Sequence, residues 1–143
     1  EILQLGIATS FAQVRQAIEE LDEREVGADP RLCLETAIRA HTMAVLEQSD
    51  YASAQAKIVG QVPPDIAKAH EADQRAYGAY WNGLLEAAAK ADILRSDVDL
   101  FAARMLAFGA MNWTTEWFDP SRRLSADEVA DAAVGLIMSG LTK

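Results

Sequence analysis

The stretch from Ser96 to Phe118, SDVDLFAARMLAFGAMNWTTEWF, decides the fold class of this chain. Its apolar residues recur at the three- and four-residue steps of a helix, yet they surround that helix almost completely. Ser96 and Asp99 have the spacing of a capping box, which predicts that the helix begins near Asp97. A helix that is apolar on nearly all sides must be covered on more than one side. The stretch therefore predicts an all-α fold in which this helix has several neighbours.

The sequence on both sides of this stretch continues the helical pattern. Apolar stripes with helical spacing predict four more helices, at about 2–25, 30–50, 66–91 and 126–139. A weakly periodic piece at about 51–58 predicts a short connecting helix. We therefore expect one domain, residues 1–143, with five main helices plus the short connecting one in an antiparallel bundle.

Two helix starts can be assigned from local sequence. Asp29 and Pro30 have the order of an N-cap and a first helical residue. Ser125 with Glu128 has the spacing of a capping box. These signals predict where the second and the last helix begin.

The composition limits the classes of partner. The chain carries 13 Lys and Arg against 22 Asp and Glu, for a formal net charge of −9 at pH 7. Such a surface repels phosphates, so this chain is not expected to bind nucleic acid itself. Simple solubility explains the acidity at least as well as an acidic-partner role. The single cysteine, Cys33, and the short apolar runs predict a cytoplasmic protein that does not enter the membrane.

The last two helices carry more apolar surface than five helices of one chain would readily cover. Small residues along them would let helix axes approach closely. We therefore expect a homodimer in which two helices from each subunit form a four-helix bundle. The alternative, that both faces pack inside a single chain, stays open. The predicted interface residues are Leu106, Ala110, Trp113, Trp117, Val129, Ala133, Leu136 and Gly140.

Two segments near the C-terminus resemble the C-terminal part of TetR-family transcriptional regulators. They are residues 110–120, AMNWTTEWFDP, and residues 123–131, RLSADEVAD. Their Asn-Trp-Thr stretch, Trp followed by an aromatic residue, proline turn and Arg-Leu-Ser are similar to the subset related to repressors of fatty-acid and steroid catabolism. The resemblance is strong over the last third of the chain and loose before it.

This resemblance implies an effector-binding and dimerisation domain of a repressor. In the family, a helix-turn-helix domain precedes the position equivalent to Glu1, so we expect DNA contact to be made by a domain missing from this chain. The resemblance also implies a hydrophobic effector, an acyl-CoA or a steroid-derived metabolite. Cationic groups near the predicted pocket could accommodate the phosphates of a coenzyme A thioester; the candidates are Arg15, Arg39, Lys68 and Arg104.

Polar residues on otherwise apolar stripes indicate where an effector would bind. His41, Asp73, Tyr77 and Asn112 would each need a buried partner, which a ligand or a water-filled cavity can supply. We therefore predict a concave apolar pocket with a few oriented polar groups. The alternative, that Asn112 bonds only to a neighbouring helix, stays open. The predicted pocket residues are Phe11, Val14, Ile38, His41, Thr42, Tyr77, Tyr80, Trp81, Phe101, Met105, Phe108 and Asn112.

The sequence carries no recognisable catalytic motif. Residues 70–74 are HEADQ, which is not the His-Glu-x-x-His of zinc hydrolases, and no serine lies in a nucleophile elbow. We expect neither enzyme activity, nor a cofactor, nor a metal. A dimerisation module with a filled core and no effector is the alternative function, and a small helical-bundle enzyme is a third.

Overall fold

The computed structural model describes residues 2–24, 29–55 and 64–143. Its helices are α1 (Ile2–Arg24), α2 (Pro30–Gln55), α3 (Pro64–Lys90), α4 (Leu100–Trp117) and α5 (Ala126–Leu141). Within these described ranges, the extended pairing is limited to one isolated bridge between Leu94 and Thr142. The predicted all-α fold with five main helices is confirmed, whereas the antiparallel arrangement stays a prediction.

The predicted end of the second helix is wrong. α2 continues through Ser49 and Asp50 as far as Gln55. Two polar residues do not end a helix that lacks a glycine or proline at that point. The predicted connecting helix therefore starts inside α2, and its last part, 56–58, lies outside the described residues, as does the predicted end of the first helix at Glu25.

The predicted start of the fourth helix is also wrong. Asp99, not Ser96, is the N-cap, and its carboxylate accepts a 2.8 Å hydrogen bond from the backbone N–H of Ala102. Arg95 holds the Asp97 carboxylate through two hydrogen bonds of 3.0 and 2.7 Å, in a turn that precedes the helix. Asp is as good an N-cap as Ser, so the local turn decided between them.

Two predicted caps are present. The Asp29 carboxylate accepts a 3.0 Å hydrogen bond from the backbone N–H of Arg31 at the start of α2. At α5, Ser125 and Glu128 form the reciprocal capping box, with hydrogen bonds of 3.2 and 3.3 Å. Caps of this kind satisfy N–H groups that the helix itself leaves unpaired.

Helix α2 is at the centre of the fold, because it packs against each of the other four helices. Its Leu34 and Ile38 are almost inaccessible to solvent. Every other helix contributes to the same core; examples are Val14 of α1, Trp81 of α3, Met111 of α4 and Met138 of α5. Residues at the middle of α2 are therefore surrounded by side chains from several helices.

In the described part of the chain, no helix is both long enough and apolar enough to cross a membrane.

Candidate functional site

Three helices are joined by a chain of two hydrogen bonds, the first buried and the second partly buried. The hydroxyl of Tyr77 on α3 lies 2.7 Å from Nδ1 of His41 on α2, and Nε2 of His41 lies 2.9 Å from Oδ1 of Asn112 on α4. Because an amide oxygen only accepts, Nε2 carries the ring proton and Nδ1 accepts from the Tyr77 hydroxyl. The structure thus brings together three of the polar residues that the sequence singled out, and pairs them with one another.

The His41 and Tyr77 side chains are uncharged at neutral pH. Burial lowers the pKa of His41 to about 4, although the hydrogen bond to Asn112 acts in the opposite direction. Burial also raises the pKa of the Tyr77 hydroxyl above its ordinary value, and the nearby indole of Trp81 opposes part of that change. A molecule bound here would therefore meet neutral hydrogen-bonding groups.

Aromatic rings surround this hydrogen-bonded chain. Phe11 on α1 stacks on Tyr77 with ring centroids 5.0 Å apart. Phe108 on α4 makes edge contacts with His41 at 5.0 Å, Tyr77 at 5.7 Å and Trp81 at 5.1 Å. Edge and offset-stacked pairs of this kind stabilise aromatic packing beyond the area they bury. We define the aromatic cluster as Phe11, His41, Tyr77, Tyr80, Trp81 and Phe108.

The cavity beside the aromatic cluster is nearly closed. Its volume is about 10 Å³, which is at most enough for one water molecule. It is lined by Leu34, Ile38, Trp81, Leu85, Ala103, Arg104, Ala107, Phe108, Met111, Ile137 and Leu141. The buried Nε1 of Trp81 and Nε of Arg104 have no hydrogen-bond partner of normal geometry in the described part of the chain. The chain's own side chains fill the space where the sequence predicted an open pocket.

Several predicted pocket residues lie in the ordinary core near this cavity. Val14 and Ile38 are buried, and Thr42 is buried with its hydroxyl bonded to the backbone oxygen of Ile38 at 2.8 Å. That bond within α2 satisfies the polar group of Thr42 without a ligand. Asp73 is only half-buried on α3, so it does not share the enclosed position of Tyr77.

Phe101 and Met105 lie outside the closed cavity, and their part in an effector pocket stays a prediction. Phe101 is 64% exposed and Met105 is 52% exposed. The buried stripe of α4 includes Ala103, Ala107 and Met111, which contact the cavity. Phe101 lies seven residues, about two turns, before Phe108, so it is on the same side of α4 but nearer the start of the helix, where it is exposed.

An open groove between α3 and α4 was not predicted from sequence. Its volume is about 370 Å³, and its lining residues are Glu71, Gln74, Arg75, Gly78, Ala79, Asn82 and Arg104. The guanidinium of Arg104 lies so close to Gly78 that a Cβ there would overlap its Nη1. A contact between a glycine and an arginine 26 positions later has no sequence signal, since it depends on how the two helices meet.

A second feature of α4 is a surface that the chain leaves uncovered. Leu106 is 75% exposed and Leu136 on α5 is 78% exposed. We define the exposed apolar face as Leu106, Ala110, Trp113, Trp117, Leu136 and Gly140, all of which are exposed. Two other predicted interface residues are placed differently: Val129 is buried inside the chain, and Ala133 is half-buried against the core. Val129 therefore has no surface left for a partner, because α5 turns it towards the interior.

Asn112 lies between the hydrogen-bonded chain at His41 and the exposed apolar face. Its side chain is hydrogen-bonded to the buried His41, yet the residue is exposed and directly precedes Trp113 of the exposed apolar face.

Among the residues that the structure describes, no group of three His, Cys, Asp or Glu is placed to hold a metal ion.

Sequence comparison identifies the family. Residues 27–141 match the family of tetracyclin repressor-like C-terminal domains. The chain belongs to this family and is a ligand-binding domain of the TetR-regulator type, so the resemblance seen in the sequence is confirmed. No curated protein sequence matches the chain.

Solved structures show the same fold. The TetR-family regulator PfmR from Thermus thermophilus is 22% identical with a TM-score of 0.80, and the match covers 100% of this chain and 74% of PfmR. A TetR/AcrR-family regulator from Thermobifida fusca is 27% identical with a TM-score of 0.69, covering 91% of this chain and 71% of that one. AibR, in a complex with isovaleryl coenzyme A and operator DNA, is 18% identical with a TM-score of 0.66, covering 94% and 71%.

Proposed function

We propose that this chain is the effector-sensing and homodimerisation domain of a TetR-family transcriptional repressor. A hydrophobic small molecule binds at the aromatic cluster and releases the parent protein from operator DNA. The observation that carries the proposal is the hydrogen-bonded chain of Tyr77, His41 and Asn112 inside that cluster. It places neutral, oriented polar groups among aromatic rings supplied by four of the five helices, which is the composition of a small-molecule site.

The closed cavity corresponds, in this proposal, to the ligand-free state. An apolar effector would replace contacts that Phe11, Tyr77 and Phe108 now make with each other. Opening the cluster costs free energy, so the apparent affinity is lower than that of a pocket already open. The effector therefore has to offer both apolar area and a group that bonds to Tyr77 or His41.

The exposed apolar face supports the homodimer. Monomeric proteins rarely leave large apolar side chains in one contiguous patch, and Leu106, Trp113 and Leu136 are all more than half exposed. A second copy of the same face would cover them symmetrically. Asn112 lies beside this face, so a change at His41 can reach the subunit interface through one side chain.

The class of effector is suggested by one related structure. AibR was crystallised with isovaleryl coenzyme A and operator DNA, which shows that the fold can hold an acyl thioester in that protein. We propose a hydrophobic acyl or ring-containing metabolite for this chain as well. Regulators of this family are in general transcription factors rather than enzymes, and the neutral His41 and Tyr77 act here as binding groups.

A second candidate function is favoured by the size of the cavity. A volume of about 10 Å³ is also what a dimerisation module with a filled core and no effector would show. The two candidates differ in what Tyr77 does: it binds a ligand in the first and only stabilises the core in the second.

Removing the Tyr77 hydroxyl distinguishes them. In Tyr77→Phe the ring contacts remain but the buried Nδ1 of His41 loses its donor, so stability should fall by about 1–3 kcal/mol under either function. Effector affinity should fall as well, by about 0.5–1.5 kcal/mol for one neutral hydrogen bond, only if Tyr77 binds the effector. The ligand is the compound that copurifies with the protein, identified by native mass spectrometry and then titrated back by calorimetry.

The unmodified chain, titrated with the same compound, is the reference for both quantities. If no organic compound copurifies and Tyr77→Phe lowers only the melting temperature, the effector-independent function is correct.

A further inference from the structure

We propose that the groove between α3 and α4 binds an anionic oxygen group of the effector, a phosphate or a carboxylate, and that Arg104 is the residue that holds it. The inference rests on the proposed function, because it treats the anion as part of the effector. It goes beyond that function by proposing where the charged end of the effector binds.

The charge of Arg104 is not paired with a carboxylate in the part of the chain that the structure describes. Within the described residues, six other arginines form ion pairs with carboxylates, for example Arg39 with Asp131 and Arg95 with Asp97, and Arg104 forms none. Its Nε is buried and has no hydrogen-bond partner in that part of the chain. Leaving a buried charged donor unpaired is costly, so the site is suited to an acceptor that the chain itself does not supply.

The position of the guanidinium is defined on both sides. It lies against the backbone of α3 at Gly78, where any side chain would overlap it. On α4 its Cζ lies 5.7 Å from the ring centroid of Phe101, which is within the range of a cation–π contact. An arginine fixed in this way presents its planar donors in one orientation, which suits the bidentate binding of a carboxylate or phosphate.

The remaining lining of the groove is compatible with an anion. Gln74 and Asn82 offer amide donors, and Arg75 offers a second cation. The carboxylate in the lining is that of Glu71, and it lies 3.6 Å from the guanidinium of Arg75, which compensates its charge. The open volume of about 370 Å³ leaves room for a phosphate-sized group and its hydration.

Arg104 also borders the closed cavity, where Trp81 and Phe108 are among its neighbours. The anion site and the aromatic cluster therefore share a wall. A molecule with an apolar end in the cluster and an anionic end in the groove would contact both sides of Arg104. The inferred effector is amphipathic, with its charge at one end.

Calorimetric titration of the purified chain at low ionic strength tests this inference with three probes. Inorganic pyrophosphate represents a phosphate source, octanoate represents a carboxylate on an apolar chain, and 1-octanol is the neutral molecule of the same length. We expect at least one anion to bind, with affinity that falls as salt increases. Arg104→Gln should weaken that anion by about tenfold or more, and should leave 1-octanol unaffected.

Two glycine variants separate the position of Arg104 from its charge. Gly78→Ala keeps the guanidinium but displaces it from α3, so it should weaken the anion while circular dichroism shows an intact helical fold. Gly83→Ala is the matched control, because it is on the same helix and an added Cβ there meets nothing within 4 Å. Arg75→Gln should have a smaller effect than Arg104→Gln, since Arg75 is already paired with Glu71.

The outcomes distinguish the sources and the two proposals. Binding of pyrophosphate alone assigns the groove to a phosphate, and tighter binding of octanoate than of 1-octanol assigns it to a carboxylate. If neither anion binds, or if both bind Arg104→Gln as tightly as the unmodified chain, the inference is wrong. If the anions fail either test but 1-octanol still binds, the proposed apolar effector site is retained and only its anionic part is wrong.

Discussion

The two sides of α4 differ in what covers them. Towards α2 and α3, Phe108 is surrounded by rings of the same chain, and Asn112 is bonded to His41. On the other side, Leu106 and Trp113 have no such cover and are mostly exposed. One helix therefore has two different sides: in the function proposed above, the covered side contributes to the effector site and the uncovered side is suited to a second subunit.

The largest effect is expected where charge is placed on the uncovered side. Leu106→Glu or Leu136→Glu would bury a carboxylate without a counter-charge in the proposed dimer, at a cost of several kcal/mol. Sedimentation velocity should then show monomers, since both residues are highly exposed in the single chain and folding is not affected. Ala87→Glu, on an exposed position of α3, is the control and should remain dimeric. Stable dimers of both leucine variants would place the interface elsewhere.

The covered side is tested by removing a ring. Phe108→Ala deletes contacts with His41, Tyr77 and Trp81 and leaves a cavity, so it should lower the free energy of unfolding by about 3–5 kcal/mol. Phe101→Ala removes the same side chain from an exposed position on the same helix and should cost far less. Urea denaturation measures both, and equal losses would contradict the different burial of these two phenylalanines.

The buried His41 predicts a dependence of stability on pH. In the unfolded chain its pKa is near 6.5, and burial lowers it to about 4 in the folded chain. The unfolded state therefore takes up a proton first as the pH falls, so stability is full above about 6.5 and decreases between 6.5 and 4. The difference between the two pKa values of His41 corresponds to roughly 3 kcal/mol of stability at most.

Urea denaturation at several pH values measures this dependence. His41→Gln should remove most of the decrease that the unmodified chain shows between pH 6.5 and 4. A decrease that is the same in His41→Gln and in the unmodified chain would mean that carboxylates, rather than His41, control acid stability.

Much of the fold could be predicted from sequence, because periodicity and caps are local. The starts of α2 and α5 follow from Asp29 and from Ser125 with Glu128, whose hydrogen bonds involve residues within three positions. The end of α2 was missed because Ser49 and Asp50 can be either helical or terminal, and only the rest of the structure decides.

The site was predictable in part. His41, Tyr77 and Asn112 stand out as polar residues on apolar stripes, and burial forces such groups to find partners. Helical spacing gives the angle of Phe101 and Met105 around α4 but not which neighbours cover that angle, so their exposure could not be predicted. The contact of Arg104 with Gly78 depends on how α3 and α4 pack against each other, so no local sequence pattern predicts it.

The most direct test of the central claim is the effect of the effector on operator affinity in the full-length regulator. Phe11 joins α1 to the aromatic cluster through its stack on Tyr77. A ligand there shifts the DNA-binding equilibrium only as far as it prefers one arrangement of α1. Operator affinity is measured by fluorescence anisotropy with and without the copurified compound, for the unmodified protein and for Phe11→Ala. We expect the compound to weaken operator binding in the unmodified protein, and Phe11→Ala to reduce this effect more than it changes the affinity measured without the compound. An unchanged ratio of the two affinities in Phe11→Ala would contradict it.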